Sequence, residues 1–394
     1  MTISAGILTL HGQPVWAFLS AGAVSFAICL LLVRTAQKHV GLTSRASDLL
    51  AVQASHKRPT PRIGGVAIFI GLELAVGFMS GSAVGLMAQV LLAAVPVMVA
   101  GLLEDMGREL RPTLRLMAAA LSAIMAMHLT GAMIHRVDVP VVDTLLRLMP
   151  VALVFTTFAV AGMCNAVNLV DGMNGLAGTL AIIGATGLAL LSAAHGQQDI
   201  AAIAAALAAV ILGFLALNYP HGRIFLGDAG AYLIGFVLAW LAVLLVQREP
   251  GVSPWALVLI MFWPLADTLL AIYRRRSNGR PTDLPDRLHF HQLVKRTLEI
   301  LFLGRHRWAL SNPLVTVVVA PVAVVPMLAG VWLAHRPGAA ALAVLISGAV
   351  FFACYRLLVV LARRRPRLAG LGTPSRAGSG PASLQHGGAA ERGI

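Results

Sequence analysis

The chain has 394 residues, of which 58% are hydrophobic and only 12% are charged, and its formal net charge is +14. Soluble globular domains carry about 25% charged residues, so this composition excludes an ordinary soluble domain and indicates a chain that lies mostly in lipid. The excess of Lys and Arg therefore bears on membrane orientation, and nucleic acid is not an expected partner.

Eleven apolar segments follow one another along the chain, each about as long as a membrane-spanning helix. They lie at approximately 14–33, 63–80, 84–103, 114–131, 149–166, 175–194, 198–217, 229–247, 254–273, 313–334 and 338–361. The sequence therefore predicts an all-α, polytopic integral membrane protein with about 11 transmembrane helices. No Lys or Arg precedes the first segment, so we expect a retained helix and not a signal peptide.

The distribution of Lys and Arg predicts the orientation of these helices. With a periplasmic N-terminus, the cytoplasmic stretches hold 25 Lys and Arg residues and the external stretches hold four. Because Lys and Arg collect on the cytoplasmic side, we expect the N-terminus in the periplasm and the C-terminus in the cytoplasm. Residues 363–394 are rich in Arg, Gly, Ser and Pro and are expected to form a disordered, basic cytoplasmic tail.

Polar clusters fall in the stretches that this orientation places in the cytoplasm, at about 34–62, 104–114, 165–175, 218–230 and 274–308. Lys57 and Arg62 precede a predicted helix start that contains Gly64 and Gly65. Cations and a helix N-terminus both attract phosphate, which indicates a phosphate site. A basic membrane anchor is the alternative interpretation.

Carboxylates close the third segment and open the eighth. Glu104 and Asp105 are adjacent at the predicted membrane edge, where they are costly unless they bind a cation or a partner. Mg²⁺ bridging to phosphates would explain them, and pairing with Arg108 or Arg111 is the alternative. Asp228 alone suits an ordinary helix N-cap, but it faces the same predicted interface as the other carboxylates.

The string that begins at Asn165 is dense in polar groups. Asn165 and Asn168 are three residues apart and share a helical face, and Asp171 continues that row. Amides, a carboxylate and flexible glycine backbone form a site for a polar ligand, whereas a polar interhelical cap is the alternative.

The loop at 274–308 contains a further cluster. Asp286, Arg287, His289 and His291 lie within six residues and could bind a diphosphate. A zinc site is an alternative because His-x-His occurs at such sites, but the surrounding arginines favour an anion. A basic surface loop is the ordinary interpretation.

The motifs and their order resemble the polyprenyl-phosphate N-acetylhexosamine-1-phosphate transferase superfamily, of the glycosyltransferase family 4 type. The resemblance covers roughly residues 34–300 and rests mainly on Asn-x-x-Asn-x-x-Asp-Gly from Asn165 and Phe-Leu-Gly-Asp ending at Asp228. The loop Pro-Asp-Arg-Leu-His-Phe-His-Gln looks closer to the undecaprenyl-phosphate GlcNAc-1-phosphate transferase branch than to the phospho-N-acetylmuramoyl-pentapeptide transferase branch, which usually has three consecutive histidines there.

This resemblance implies transfer of a sugar-1-phosphate, in particular N-acetylhexosamine-1-phosphate, from a UDP-sugar to undecaprenyl phosphate with release of UMP. The expected enzyme is Mg²⁺-dependent, with Mn²⁺ as a possible substitute, and starts a cell-surface polysaccharide pathway. Residues 1–362 would form the transferase domain, in the bacterial inner membrane with its active site facing the cytoplasm. A homodimer is a possible assembly.

Carried over by motif, the family's roles place Mg²⁺ on Asn168 and Asp228. Asp105 would lie by the lipid phosphate as a base or an organiser, and Asp171 would contact the nucleotide side. The other expected substrate-binding residues are Lys57, Arg62, Asn165, Asn174, Asp286, Arg287, His289 and His291.

Three positions depart from the family pattern, namely Glu104, Asn174 and Gln292. These departures predict an altered sugar specificity, with weakened catalysis as the alternative. The alternative reaction is a phospho-N-acetylmuramoyl-pentapeptide transferase-like activity, and two other classes remain open in the sequence. A lipid or sugar transporter is suggested by Glu73 inside the second segment, and a non-catalytic scaffold on the same fold is compatible with the departures.

Overall fold

A computed structural model describes residues 2–4, 7–38, 60–108, 110–277, 288–304 and 307–363. Within these ranges the chain is a bundle of apolar helices preceded by a small antiparallel sheet. The strands are β1 (Thr2–Ser4), β2 (Ile7–Leu10) and β3 (Gln13–Pro14), in the order β1-β2-β3. The predicted basic tail lies, apart from Arg363, outside the described residues.

The helices follow in chain order and are mostly long. They are α1 (Val15–Arg34), α2 (Gly64–Val76), α3 (Ser82–Asp105), α4 (Pro112–Thr130), α5 (Pro140–Leu146), α6 (Met149–Val170), α7 (Leu176–Ala194), α8 (Gln198–Asn218), α9 (Gly227–Arg248), α10 (Pro254–Ile260), α11 (Phe262–Ser277), α12 (Phe290–Leu298), α13 (Trp308–Trp332) and α14 (Pro337–Arg363). A π-helical turn, Glu299–Leu303, continues α12.

The prediction of a helical, polytopic membrane protein is confirmed. In the described part of the chain, nine helices are long and apolar enough to cross a membrane, or ten if α10 and α11 form one bent span. The predicted segment at 63–80 corresponds to α2, which has only 13 residues. The segment at 254–273 is broken, because α10 and α11 meet at 86°.

The sheet is a feature that the all-α prediction did not include. Its strands have only two to four residues, so they carry too little alternation to be recognised from sequence. Between β2 and β3, His11 and Gly12 both have positive φ values, of 51° and 70°. Such a two-residue turn matches the right-handed twist of a hairpin.

The centre of the bundle is α9, which is apolar on all sides and buried along almost its whole length. A helix that is hydrophobic all round belongs in a core surrounded by other helices. It packs against α3 and α6, and Phe236 and Trp240 are among its fully buried side chains. The N-terminus of α9 carries Asp228, so this carboxylate is held by the most enclosed helix of the described chain.

Glycines allow α2 and α3 to approach the first turn of α9. A Cβ added at Gly65 would lie 2.2 Å from the backbone N of Gly230, and one added at Gly101 would lie 2.5 Å from Cα of Ala229. Both positions therefore exclude any side chain. The close approach brings the Arg62 segment and the Glu104-Asp105 pair to the same helix end as Asp228.

Candidate active site

Two chain segments pair along their backbones at the N-terminus of α9. The amides of Gly64 and Gly65 donate to the carbonyls of Phe225 and Leu226 at 3.0 and 2.9 Å. The amide of Phe225 donates in return to the carbonyl of Pro61 at 2.9 Å. These bonds join the segment from Pro61 to Gly65 to the Phe-Leu-Gly-Asp motif, which lies about 160 residues later in the sequence.

Asp105 fixes the turn that carries Asp228. Its buried carboxylate accepts the backbone N–H of Asp228 at 2.8 Å and that of Ala229 at 3.0 Å. It thereby caps two of the first amides of α9, which have no partner within the helix. Gly227 precedes them with φ of 77°, and a Cβ there would lie 2.5 Å from Oδ2 of Asp105. This geometry makes Asp105 an organiser of the site.

The predicted metal-binding pair is in direct contact. The side-chain amide of Asn168, at the end of α6, donates to Oδ1 of Asp228 at 2.8 Å. Both side chains are half-buried, so a ligand can reach them. An amide and a carboxylate offer the oxygen ligands that Mg²⁺ prefers, and Mg²⁺ commonly completes its shell with water and substrate phosphate.

The described residues form no self-contained metal cage. Across the described ranges, no three His, Cys, Asp or Glu side chains group closely enough to hold a metal ion. The residues therefore fit a divalent cation that arrives with a phosphate ligand better than a structural metal enclosed by protein.

Asp171 directly follows α6 and lies beside the Asn168–Asp228 pair. Burial raises the pKa of Asp171 to about 7; the Arg62 guanidinium opposes this rise and the charge of Asp228 adds to it. Arg62 also lies near Asp105, with Nε 3.9 Å from Oδ1. The structure thus brings together Arg62, Asp105, Asp171 and Asp228, as the sequence predicted, with Asn168 between the helices.

Glu104 has a different partner from its neighbour. Its carboxylate lies 3.5 Å from the guanidinium of Arg115 on α4 and accepts a hydrogen bond from the Tyr232 hydroxyl at 3.5 Å. The sequence suggests Arg108 and Arg111 as partners of the Glu104-Asp105 pair. In the structure, Arg115 contacts Glu104 instead, from one turn into α4. Glu104 therefore joins α3, α4 and α9, and the contacts place it in a structural ion pair.

Two predicted substrate-binding amides have local partners. Asn165 donates to the carbonyl of Ala161 on its own helix at 2.8 Å. Asn174 is buried, and its amide donates to the carbonyl of Pro220 at 2.8 Å while its backbone N–H donates to Asn312 at 2.7 Å. These contacts hold the loop after α6, and they add no support to substrate binding by either side chain.

His289 and His291 are held by a carboxylate that the sequence reasoning did not single out. Oδ1 of Asp267, on α11, accepts the backbone N–H of Phe290 at 3.1 Å. Its Oδ2 lies 3.3 Å from Nδ1 of His289 and 3.6 Å from Nδ1 of His291. The two imidazole rings stack with centroids 5.6 Å apart, and all three side chains are buried.

The histidines face the loop that follows Asp171. A Cβ added at Gly172 would lie 2.8 Å from Nε2 of His291. Nε2 of His291 therefore points toward the Asp171-Gly172 turn, while Nδ1 of the same ring faces Asp267. Because a carboxylate on one ring nitrogen fixes the orientation of the other, Asp267 positions this imidazole toward the carboxylate cluster.

A signal for Asp267 was present in the sequence. It is the only carboxylate in the predicted segment at 254–273, and an ionisable residue in a predicted membrane span is a functional candidate by default. Lys57, Asp286 and Arg287 lie outside the described residues, so their assignments stay predictions.

Comparison with known proteins identifies the family. Residues 87–246 match the family model of glycosyl transferase family 4, a stretch that contains Asp105, Asn168, Asp171 and Asp228 but neither Asp267 nor the two histidines.

Three relatives illustrate the similarity. The chain is 30% identical over 275 residues to a probable undecaprenyl-phosphate N-acetylglucosaminyl 1-phosphate transferase of Bacillus subtilis, covering 68% of this chain and 75% of the relative. It is 32% identical to the decaprenyl-phosphate N-acetylglucosaminephosphotransferase of Mycobacterium tuberculosis, covering 60% of this chain and 65% of the relative. It is 27% identical to the undecaprenyl-phosphate alpha-N-acetylglucosaminyl 1-phosphate transferase of Yersinia pestis, covering 74% and 78%. The chain therefore belongs to glycosyl transferase family 4.

Proposed function

We propose that this protein transfers an N-acetylhexosamine-1-phosphate from a UDP-sugar to a polyprenyl phosphate and releases UMP. The observation that carries the proposal is the contact of Asn168 with Asp228 on a turn that Asp105 fixes. The relatives named above act, by their names, as polyprenyl-phosphate N-acetylglucosamine-phosphate transferases, which supports the same chemistry here. UDP-GlcNAc is accordingly the first substrate to test.

The reaction exchanges one phosphorus–oxygen bond for another. An oxygen of the lipid phosphate attacks the β-phosphorus of the UDP-sugar, and the bond from that phosphorus to the bridging oxygen breaks. The electron pair leaves with UMP, and the lipid retains the sugar on a diphosphate. Catalysis of such a transfer depends mainly on positioning and on neutralising the phosphate charges.

The side chains divide this work among them. Asn168 and Asp228 would hold Mg²⁺, which when bound neutralises charge on the diphosphate. Arg62 offers a second cation at the same place. His291 presents Nε2 to the Asp171-Gly172 turn, where an Nε2–H would donate a hydrogen bond to a phosphate oxygen. Asp105 holds the turn in register through the amides of Asp228 and Ala229.

We infer a location in a bacterial inner membrane, with the site on the cytoplasmic side. The many apolar helices support a multi-pass membrane protein. The excess of Lys and Arg on one set of loops supports this orientation, since positive residues collect on the cytoplasmic side.

Purified protein in detergent tests the proposal directly. With Mg²⁺, undecaprenyl phosphate and a panel of UDP-N-acetylhexosamines, UMP should appear in step with lipid-linked sugar. Chelation of Mg²⁺ and the substitution Asp228→Ala should each stop its release. Absence of UMP with every sugar, from a preparation with a cooperative thermal transition, would overturn the proposal.

The transporter alternative loses support in the structure. Glu73, on which it depended, is exposed on α2 instead of lining an internal path. Flux of a UDP-sugar into proteoliposomes without UMP release would nevertheless favour transport.

A further inference from the structure

Two histidines meet at the end of the bundle opposite the carboxylate cluster. His195 follows the last residue of α7, and His335 lies in the turn between α13 and α14. Their Nε2 atoms are 3.0 Å apart. Because α7 begins next to the Asp171 loop and has 19 residues, this pair lies roughly 28 Å from the carboxylates.

The second nitrogen of each ring faces a backbone carbonyl. Nδ1 of His195 is 2.7 Å from the carbonyl oxygen of Leu191, and Nδ1 of His335 is 3.1 Å from that of Gly251. A carbonyl oxygen can only accept, so both Nδ1 atoms carry the proton. In the neutral rings both Nε2 atoms therefore present a lone pair, and two lone pairs at 3.0 Å repel unless a cation lies between them.

The spacing suits two neighbouring ligands of one metal ion. Imidazole nitrogens bind Zn²⁺ at about 2.0–2.1 Å, so two ligands at right-angled to tetrahedral positions are about 2.9–3.4 Å apart. Ring orientation set by an Nδ1–H donated to a carbonyl is also the usual support of a metal-binding histidine. His195 is half-buried and His335 is exposed, so an ion has access from solvent.

Charged side chains on the neighbouring connections have partners of their own. The nearby Arg248 is engaged by Asp199, and Glu249 accepts a hydrogen bond from Gln197. Neither of these pairs involves the imidazole of His195 or of His335.

We propose that His195 and His335 form a two-histidine site for a borderline divalent cation such as Zn²⁺, Ni²⁺ or Cu²⁺, with water completing the coordination. Imidazole ligands select these ions over Mg²⁺. The bound ion ties the end of α7 to the turn before α14. It also reinforces the 249–253 connection, whose Ser253 amide already donates to the carbonyl of Ala334 at 2.8 Å.

Metal binding to the full-length protein, purified without a histidine tag and in the presence of Mg²⁺, tests the site. Titration with ZnCl₂ at pH 7.5 should show one ion per chain that excess Mg²⁺ does not displace. His195→Gln and His335→Gln should each weaken binding at least about tenfold. His128→Gln is the matched control, since His128 is an exposed histidine at the end of another helix, and it should bind as wild type does.

Two further readouts distinguish this site from adventitious binding. The electron paramagnetic resonance spectrum of one equivalent of Cu²⁺ should show two nitrogen ligands, and either histidine substitution should remove them. Zn²⁺ at about 100 times its dissociation constant should raise the thermal midpoint by about 3 °C in wild type and in His128→Gln only.

The proposal fails if wild type binds no stoichiometric Zn²⁺, or if both histidine variants bind it as tightly as wild type. A second outcome would also overturn the proposal: acidification, and not Zn²⁺, stabilises the wild type, and both histidine variants lose this effect. That result would show that the two rings share a proton. UMP release should be unchanged in His195→Gln and His335→Gln, so this outcome is independent of the proposed transferase activity.

Discussion

Asn165 and Asn168 occupy the same face of α6, yet their amides have different partners. Asn168 reaches across to Asp228, whereas Asn165 bonds to the carbonyl of Ala161 within its own helix. The first contact links two elements at the proposed metal position, and the second is a local bond that a helix can lose at little cost. The two side chains therefore form a matched pair for substitution.

Asn168→Ala should lower the apparent Mg²⁺ affinity by about 100-fold, because it removes an oxygen ligand and the group that orients Asp228. Asn165→Ala should stay within about twofold of wild type, since its bond is local and worth roughly 1 kcal/mol. UMP release measured as a function of Mg²⁺ concentration checks both. Equal losses in the two variants would contradict the division of roles and would restore Asn165 as a substrate-binding residue.

Asp171 should give the reaction an acid limb. Since burial raises the pKa of Asp171 to about 7, the carboxylate is charged above that pH and becomes neutral below it. If the charged form is required, kcat/KM falls about tenfold per pH unit below 7. A bound divalent cation favours the charged form, so higher Mg²⁺ should move the limb to lower pH.

The measurement is kcat/KM between pH 5.5 and 8.5 at two Mg²⁺ concentrations. Asp171→Asn should be slow and should lack the Mg²⁺-sensitive limb. A wild-type profile that is flat across pH 7, or a limb that ignores Mg²⁺, would contradict this assignment.

Asp267→Asn tests whether Asp267 positions the histidines. If the amide oxygen keeps accepting the Phe290 N–H, the NH₂ group faces the Nδ1 atoms as a donor, which alters the orientation and tautomer of both rings. Activity should fall about 10- to 100-fold with an altered pH profile, while the thermal midpoint changes little. The control is Asp199→Asn. The carboxylate of Asp199 bonds to Arg248 at the other end of the bundle, so its loss should leave the histidines in place.

At the scale of elements, the approach of α3 to α9 sets the position of Asp228. A Cβ on Gly101 would lie 2.5 Å from Cα of Ala229 and 2.7 Å from the backbone C of Asp228. Gly101→Ala should therefore push the helices apart, lower stability by about 1–3 kcal/mol and reduce activity by displacing Asp228.

Gly85 on the same helix provides the control, because a Cβ there meets nothing within 4 Å. Gly85→Ala should be neutral or slightly stabilising, as alanine is the better helix former. The thermal midpoint and UMP release of the two variants give the comparison. Wild-type behaviour of Gly101→Ala would show that the helix contact is not required.

The helices and the convergence of the motifs could be predicted from the sequence, because long apolar segments and dense polar strings are local signals. The partners of individual side chains could not. Arg115 reaches Glu104 from another helix, and Asn174 bonds to Pro220 across a loop. Such contacts depend on how α3, α4 and α8 pack, which no local pattern records. The sharp turn between α10 and α11 likewise lies inside an unbroken apolar segment.

At the scale of the whole molecule, the N-out orientation predicts which loops face the periplasm. In a background with Cys354→Ser, a membrane-impermeant thiol reagent should label Gln198→Cys in intact cells. It should label Arg108→Cys only after the cells are opened, since Arg108 follows the end of α3 beside the carboxylates. The reverse pattern would place the carboxylate cluster outside and would contradict the proposed use of cytoplasmic UDP-sugars.

The chain turns by 86° between α10 and α11. A cavity of about 250 Å³ borders these helices, and its lining is apolar, with side chains that include Met163, Val243 and Leu257, except for Arg136 at the end away from the carboxylate cluster. Met163 lies five residues before Asn168, and Leu265, also in the lining, lies two residues before Asp267. The inner end of the cavity therefore extends toward both halves of the site. We therefore expect a long-chain substrate to lay its hydrocarbon against these apolar side chains while its phosphate reaches the carboxylate cluster.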